Sequence, residues 1–158
     1  MQFVDIAGKM FLYLFVLKIG VVDGQGGGIG SLIVKRLREE FSDNIEILAL
    51  GTNAAATSAM MKARANKGAT GENAIVWNAK RLHMIIGPLS IILSNAMLGE
   101  ITPKMAGAIA STEAKRVLLP LNQEGIDVIV VEKEPLPHLI EKMIGSVRQE
   151  IEKEEEHV

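Results

Sequence analysis

Between Val21 and Ser31 an apolar, strand-like segment runs through five glycines in seven positions (Gly24, Gly26, Gly27, Gly28 and Gly30) and straight into a helical pattern. Residues without side chains let backbone N–H groups approach a ligand, and the positive N-terminus of the next helix favours an anion. This order of strand, glycine turn and helix therefore predicts a phosphate-binding loop. Its candidate residues are Asp23, Gly24, Gln25, Gly26, Gly27, Gly28, Ile29 and Gly30. Asp23, at the strand tip, either meets a ligand hydroxyl or a metal, or braces the loop through backbone amides; bracing is the simpler expectation.

The periodicities on either side support that order. Ile29, Leu32, Ile33, Leu37 and Phe41 recur at helical spacing, with Lys35, Arg36, Arg38, Glu39 and Glu40 on the other side. The short run Ile45–Leu50, broken only by Glu46, suits an inner strand of a parallel sheet covered on both faces. Thr52 and Asn53 cap a helix from Ala54 to Ala65 that contains six alanines, and Lys67–Gly71 reads as the loop that stops it. Further along, the pattern predicts a helix over 73–80, a strand at Met84–Ile86 and a helix over 90–98. Thr102–Pro103 reads as an N-cap followed by proline at the first helical position, Val117–Leu119 and Val128–Val131 as strands, and Leu136–Ile151 as a final amphipathic helix. Strands alternating with helices, without a linker or repeat, predict one three-layer α/β, Rossmann-like domain with about five mainly parallel strands over residues 18–150. An apolar extension over 1–17 precedes it and an acidic tail over 151–158 follows.

The extension is too short to span a bilayer. The unbroken apolar run Met10–Leu17 would rise about 12 Å as a helix against a hydrocarbon core of about 30 Å. No small-residue cleavage site follows it, and the strand the glycine loop needs begins at once. A cytoplasmic protein without a membrane partner is the expectation. With 19 acidic residues against 17 Lys and Arg, the chain lacks the basic excess of a nucleic-acid binder. It has no cysteine, which excludes thiolate chemistry and Cys-ligated metal, and His83, His138 and His157 are too dispersed for a metal site.

Ligands of open α/β sheets bind at the carboxyl ends of strands, so the residues just after each strand are the other candidates. Thr52 and Asn53 follow the second strand, Thr70 and Glu72 lie in a small-residue loop, and Asn95, Glu100 and Asn122 add polar groups to apolar surroundings. If Asn95 and Glu100 are buried, a ligand or a subunit interface must supply their partners.

The spacing Gly24-x-x-x-Gly28-x-Gly30 resembles the dinucleotide loop of the short-chain dehydrogenase superfamily. Two departures separate the chain from that chemistry. Where an acid would bind the ribose of NAD, about twenty residues beyond the loop, stand Gly51, Thr52 and Asn53, leaving Asn53 for the ribose or Lys62 or Arg64 for a 2′-phosphate. The only tyrosine, Tyr13, precedes the first strand, so no Tyr-x-x-x-Lys pair exists. From Lys18 to about Val147 the chain also resembles an uncharacterised bacterial family, domain-of-unknown-function family 3842. The resemblance is carried by Val22–Gly30, Ala49–Ala54, Gly68–Ala74, Asn95–Pro103 and Leu136–His138. It implies a domain that begins near Lys18 and implies no activity.

The expected function is thus nucleotide or dinucleotide binding through Asp23–Gly30, with Thr52, Asn53, Thr70, Glu72, Asn95 and Asn122 around a small-molecule ligand such as NAD, NADP or another nucleotide. No reaction is named by these residues. The alternative is a non-catalytic homo-oligomeric module that assembles through residues 90–103 and the N-terminal run.

Overall fold

A computed structural model describes residues 15–121, 125–130 and 133–157. Its elements alternate: β1 (Leu17–Asp23), α1 (Gly28–Phe41), β2 (Ile45–Gly51), α2 (Ala54–Lys62), β3 (Lys67–Thr70), α3 (Glu72–Ala79), β4 (Met84–Pro88), a 3-10 turn (Leu89–Ile92), α4 (Pro103–Ser111), β5 (Lys115–Leu119) and α5 (Leu136–Glu156). The five strands form one sheet in the order β3-β2-β1-β4-β5, and every neighbouring pair is parallel.

The period-2 alternation of the strands divides the core. Ile19 and Val21 of β1 and Met84 and Ile86 of β4 face a cluster built with Ile33, Val34 and Leu37 of α1, Met60 of α2 and Ile140, Met143, Ile144 and Val147 of α5. Val22 and Ile85 point the other way, to Ile75 and Ala79 of α3 and Met105, Ala106 and Ile109 of α4. Helices on both faces of a parallel sheet make the three-layer, Rossmann-like α/β fold. Apolar burial on both faces supplies most of its stability, at about 25 cal/mol per Å² removed from water.

Four expectations are corrected. Lys67–Thr70, read as a loop, is an edge strand paired with Leu48–Gly51; its small, polar residues hide a strand whose side chains are mostly exposed. Val128–Val130 forms no strand, and Ile129 is 91% exposed; Val131 lies outside the described residues. The helix expected over 90–98 is only the 3-10 turn to Ile92, after which turns run from Ser94 to Glu100. The acidic stretch expected as a separate tail from residue 151 instead continues α5 as helix to Glu156. The first strand takes in Leu17, and Phe15 packs on the core; the rest of the apolar extension, residues 1–14, lies outside the described residues.

Because β1 is followed by β2 on one side and paired with β4 on the other, strand order reverses between β1 and β4. The carboxyl ends of these two strands flank the crevice where ligands of open α/β sheets bind.

Candidate functional site

The glycine turn is built on Asp23. This side chain is 4% exposed, and its Oδ1 accepts the Gly24 N–H at 2.8 Å and its Oδ2 the Gly30 N–H at 2.7 Å, closing the loop between its first and last glycines. Bracing is therefore what Asp23 does. Burial pushes its carboxyl above the ordinary value, the two amides oppose that push, and the charge of Glu100 adds to it.

The glycines divide by what they are for. A Cβ on Gly24 would meet Met97 Sδ and Thr52 Oγ1 at 2.6 Å. Gly27 has φ +72° and lies against Ala56, so that a Cβ would come within 2.8 Å of Ala56 Cα. A Cβ on Gly30 would strike Met60 Sδ at 2.6 Å. Packing demands these three. Gly26 and Gly28 are exposed, and a Cβ on either would have nothing within 4 Å. Among the described residues their N–H groups also have no protein acceptor, as expected of amides near the start of a helix.

A second carboxylate lies against the loop. Glu100 Oε1 accepts from Thr52 Oγ1 at 2.8 Å and from Asn53 Nδ2 at 2.6 Å, and both its oxygens share the Gln25 N–H at 3.1 Å. Burial acts to raise this carboxyl; the bonds from Asn53, Thr52 and Gln25 outweigh it and hold Glu100 below the ordinary glutamate value. Its delivery requires a tightly wound turn. Asn95, Met97 and Leu98 adopt φ of +65°, +56° and +56° and Gly99 +91°, closed by Asn95 N–H to Ile101 O at 2.7 Å and Gly99 N–H to Asn95 O at 3.0 Å. Three non-glycine residues in the left-handed region persist only where their surroundings over-determine them. Here Ile101, fully buried, anchors the exit of the turn.

Between β1 and β4 opens a cleft of about 620 Å³ whose walls include Asp23, Gln25, Ile29, Ser90, Asn95 and Met97. Ser90 is fully buried, and its hydroxyl has no partner among the described residues. A buried, unpaired hydroxyl costs about 1–3 kcal/mol.

Of the residues singled out in the sequence, the structure gathers Asp23, Gln25, Ile29 and Asn95 around the cleft and joins Thr52 and Asn53 to the loop through Glu100. Asn53 also caps α2, accepting the Ala56 N–H at 2.9 Å, and donates to Gln25 O at 2.9 Å. Thr70 and Glu72 do not line the cleft: Thr70 shares a 2.7 Å hydroxyl contact with Thr57, and Glu72 accepts from Thr102 Oγ1 at 2.5 Å, tying α3 to the cap of α4. Asn122 lies outside the described residues. The partners of Glu100 come from its own chain, and Asn95 is exposed. His83 is structural, its Nδ1 accepting the Lys18 N–H at 2.8 Å. His138 is exposed and does not line the cleft. Ser90 and the role of Glu100 were missed by sequence reasoning; the one available signal was the polar string Ser94–Thr102 in an apolar region.

No helix among the described residues is long and apolar enough to cross a membrane. A family model described as "Domain of unknown function (DUF3842)" matches residues 18–152. No curated protein and no solved structure matches the chain.

Proposed function

The chain belongs to the DUF3842 family of domains of unknown function, and we propose that it binds a nucleotide or dinucleotide, such as NAD or NADP, with the phosphates on the loop from Asp23 to Gly30. One observation carries this reading. Among the described residues the amides of Gly26 and Gly28, at a helix N-terminus, have no protein acceptor, and the space their side chains would fill is open. Nothing in the packing requires glycine at these two positions, whereas a phosphate lying on the backbone does. The adjoining cleft offers room for the rest of the ligand.

A thermal-shift screen with NAD, NADP, ATP, FMN and S-adenosylmethionine tests the proposal. A ligand at 100 times its dissociation constant adds about 2.7 kcal/mol of stability. No shift from any of them, on folded protein, sinks it.

A homo-oligomeric interaction module is the second reading, favoured by the apolar surface beside the cleft, where Leu98 is 89% and Ile126 40% exposed. Under that reading Leu98→Glu dissociates the assembly in light scattering; a chain that is monomeric with or without the substitution rules it out.

A further inference from the structure

We propose that Glu100 reads the ribose hydroxyls of the bound nucleotide, so that the site takes nucleotides with an unmodified ribose and rejects those phosphorylated at the 2′ position. This rests on the nucleotide reading above. In dinucleotide-binding sheets the ribose is held by a carboxylate at the end of the strand beside the glycine-loop strand. That strand is β2, and its own last residue and the two after it, Gly51, Thr52 and Asn53, carry no acid. The acid comes instead from a turn far along the chain. Glu100, 48 residues beyond Thr52, is bound to the Thr52 hydroxyl, the Asn53 amide and the Gln25 N–H of the glycine loop.

The hydrogen-bond inventory leaves one oxygen for a ligand. Oε1 takes Thr52, Asn53 and a share of the Gln25 N–H, whereas Oε2 takes only its share of that N–H. An ionised carboxylate offers about four acceptor sites, so Oε2 retains capacity for hydroxyl donors such as the 2′- and 3′-OH. The side chains bonded to Glu100 are neutral, and the Asp23 carboxylate is close enough to repel it. A 2′-phosphate here would meet negative charge, with no cation bonded to Glu100 among the described residues. Of the two cations the sequence offered for that purpose, Lys62 closes α2 at the end opposite the Asn53 cap, about 13 Å along the axis at 1.5 Å per residue, and Arg64 follows just beyond that same end.

Calorimetric titration tests this with ADP, GDP, CDP and UDP, each against its 2′-deoxy form, and with NAD against NADP. A hydrogen bond to a charged acceptor corresponds to about tenfold or more in affinity. The wild-type protein is expected to bind its preferred ribonucleotide at least about tenfold tighter than the deoxy form, and NAD at least about tenfold tighter than NADP. Glu100→Gln should bring both ratios to within about twofold while phosphate-dependent binding persists. Binding without discrimination in the wild type, or ratios unchanged in a folded Glu100→Gln, overturns the role of Glu100 and leaves the phosphate loop standing. Binding of none of these compounds overturns both. Should Glu100→Gln not fold, Glu100→Asp, which keeps the charge but withdraws the carboxylate by one methylene, takes its place with the same expected loss of discrimination, and unchanged ratios in it overturn the role.

Discussion

Asp23 and Gly30 stand 2.7 Å apart, carboxylate oxygen to amide nitrogen, across the mouth of the glycine turn. With the second bond to Gly24 at 2.8 Å, this one side chain sets the shape of the loop from inside the fold. Asp23→Ala leaves both amides without their acceptor, and an unsatisfied buried donor costs about 1–3 kcal/mol. The expected loss in urea denaturation is about 2 kcal/mol or more, with a smaller loss for Asp23→Asn, which keeps one acceptor. An unchanged midpoint for Asp23→Ala contradicts the bracing role.

The glycines should separate into two classes on substitution. Gly27→Ala forces a Cβ into a left-handed position and within 2.8 Å of Ala56 Cα, and overpacking of this kind costs about 1–3 kcal/mol. Gly26→Ala and Gly28→Ala meet no atom within 4 Å and should leave stability unchanged or raise it by up to about 1 kcal/mol through the unfolded chain. Equal losses at all three positions refute the division.

Ser90 should be a site where a smaller side chain is the more stable one. Its buried hydroxyl has no partner among the described residues, so Ser90→Ala should raise the stability of the free protein, by about 1 kcal/mol or more. A fall in free-protein stability instead means that the hydroxyl is already bonded within the fold.

The two acids act in opposite directions with pH. Glu100 is held below its ordinary value near 4.5, so its contribution is present above that pH and lost as pH falls through the folded value. Asp23 is raised above its ordinary value near 3.8, so its contribution is present below that pH and lost as pH rises through the folded value. Glu100→Gln removes the first and, with the charge that helps to raise Asp23, part of the second. The stability gap between wild type and Glu100→Gln should therefore narrow as pH falls from neutral to below about 4.5, measured by urea midpoints; a gap that widens reverses the assignment.

The parallel sheet and its glycine loop were legible because they are local. Ile19, Val21 and Val22 before the glycines, and Ile33 and Leu37 after them, announce strand and helix by their periods alone. Lys67–Thr70 was not legible, since an edge strand of Lys, Gly, Ala and Thr owes its conformation to pairing with β2 rather than to its own residues. Val128–Val130 misled for the converse reason, apolar residues standing on the surface. Glu100 shows the main gap: the sequence marks the missing acid after β2, but only the turn through Asn95, Met97 and Leu98 brings a distant carboxylate to that place, and the left-handed conformations of Met97 and Leu98 are ones their residue types do not announce.

The most direct test of the central claim, that the glycine loop is a phosphate site, is the melting temperature of Gly28→Val with and without the best ligand of the screen. A Cβ at this first helical position meets no atom within 4 Å, and valine would add its bulk where the phosphate would lie. The account predicts an unliganded melting temperature within about 2 °C of wild type and a ligand-induced shift reduced to zero. A Gly28→Val protein that keeps the full shift contradicts it, as does one whose unliganded melting temperature falls as far as that of Gly27→Ala.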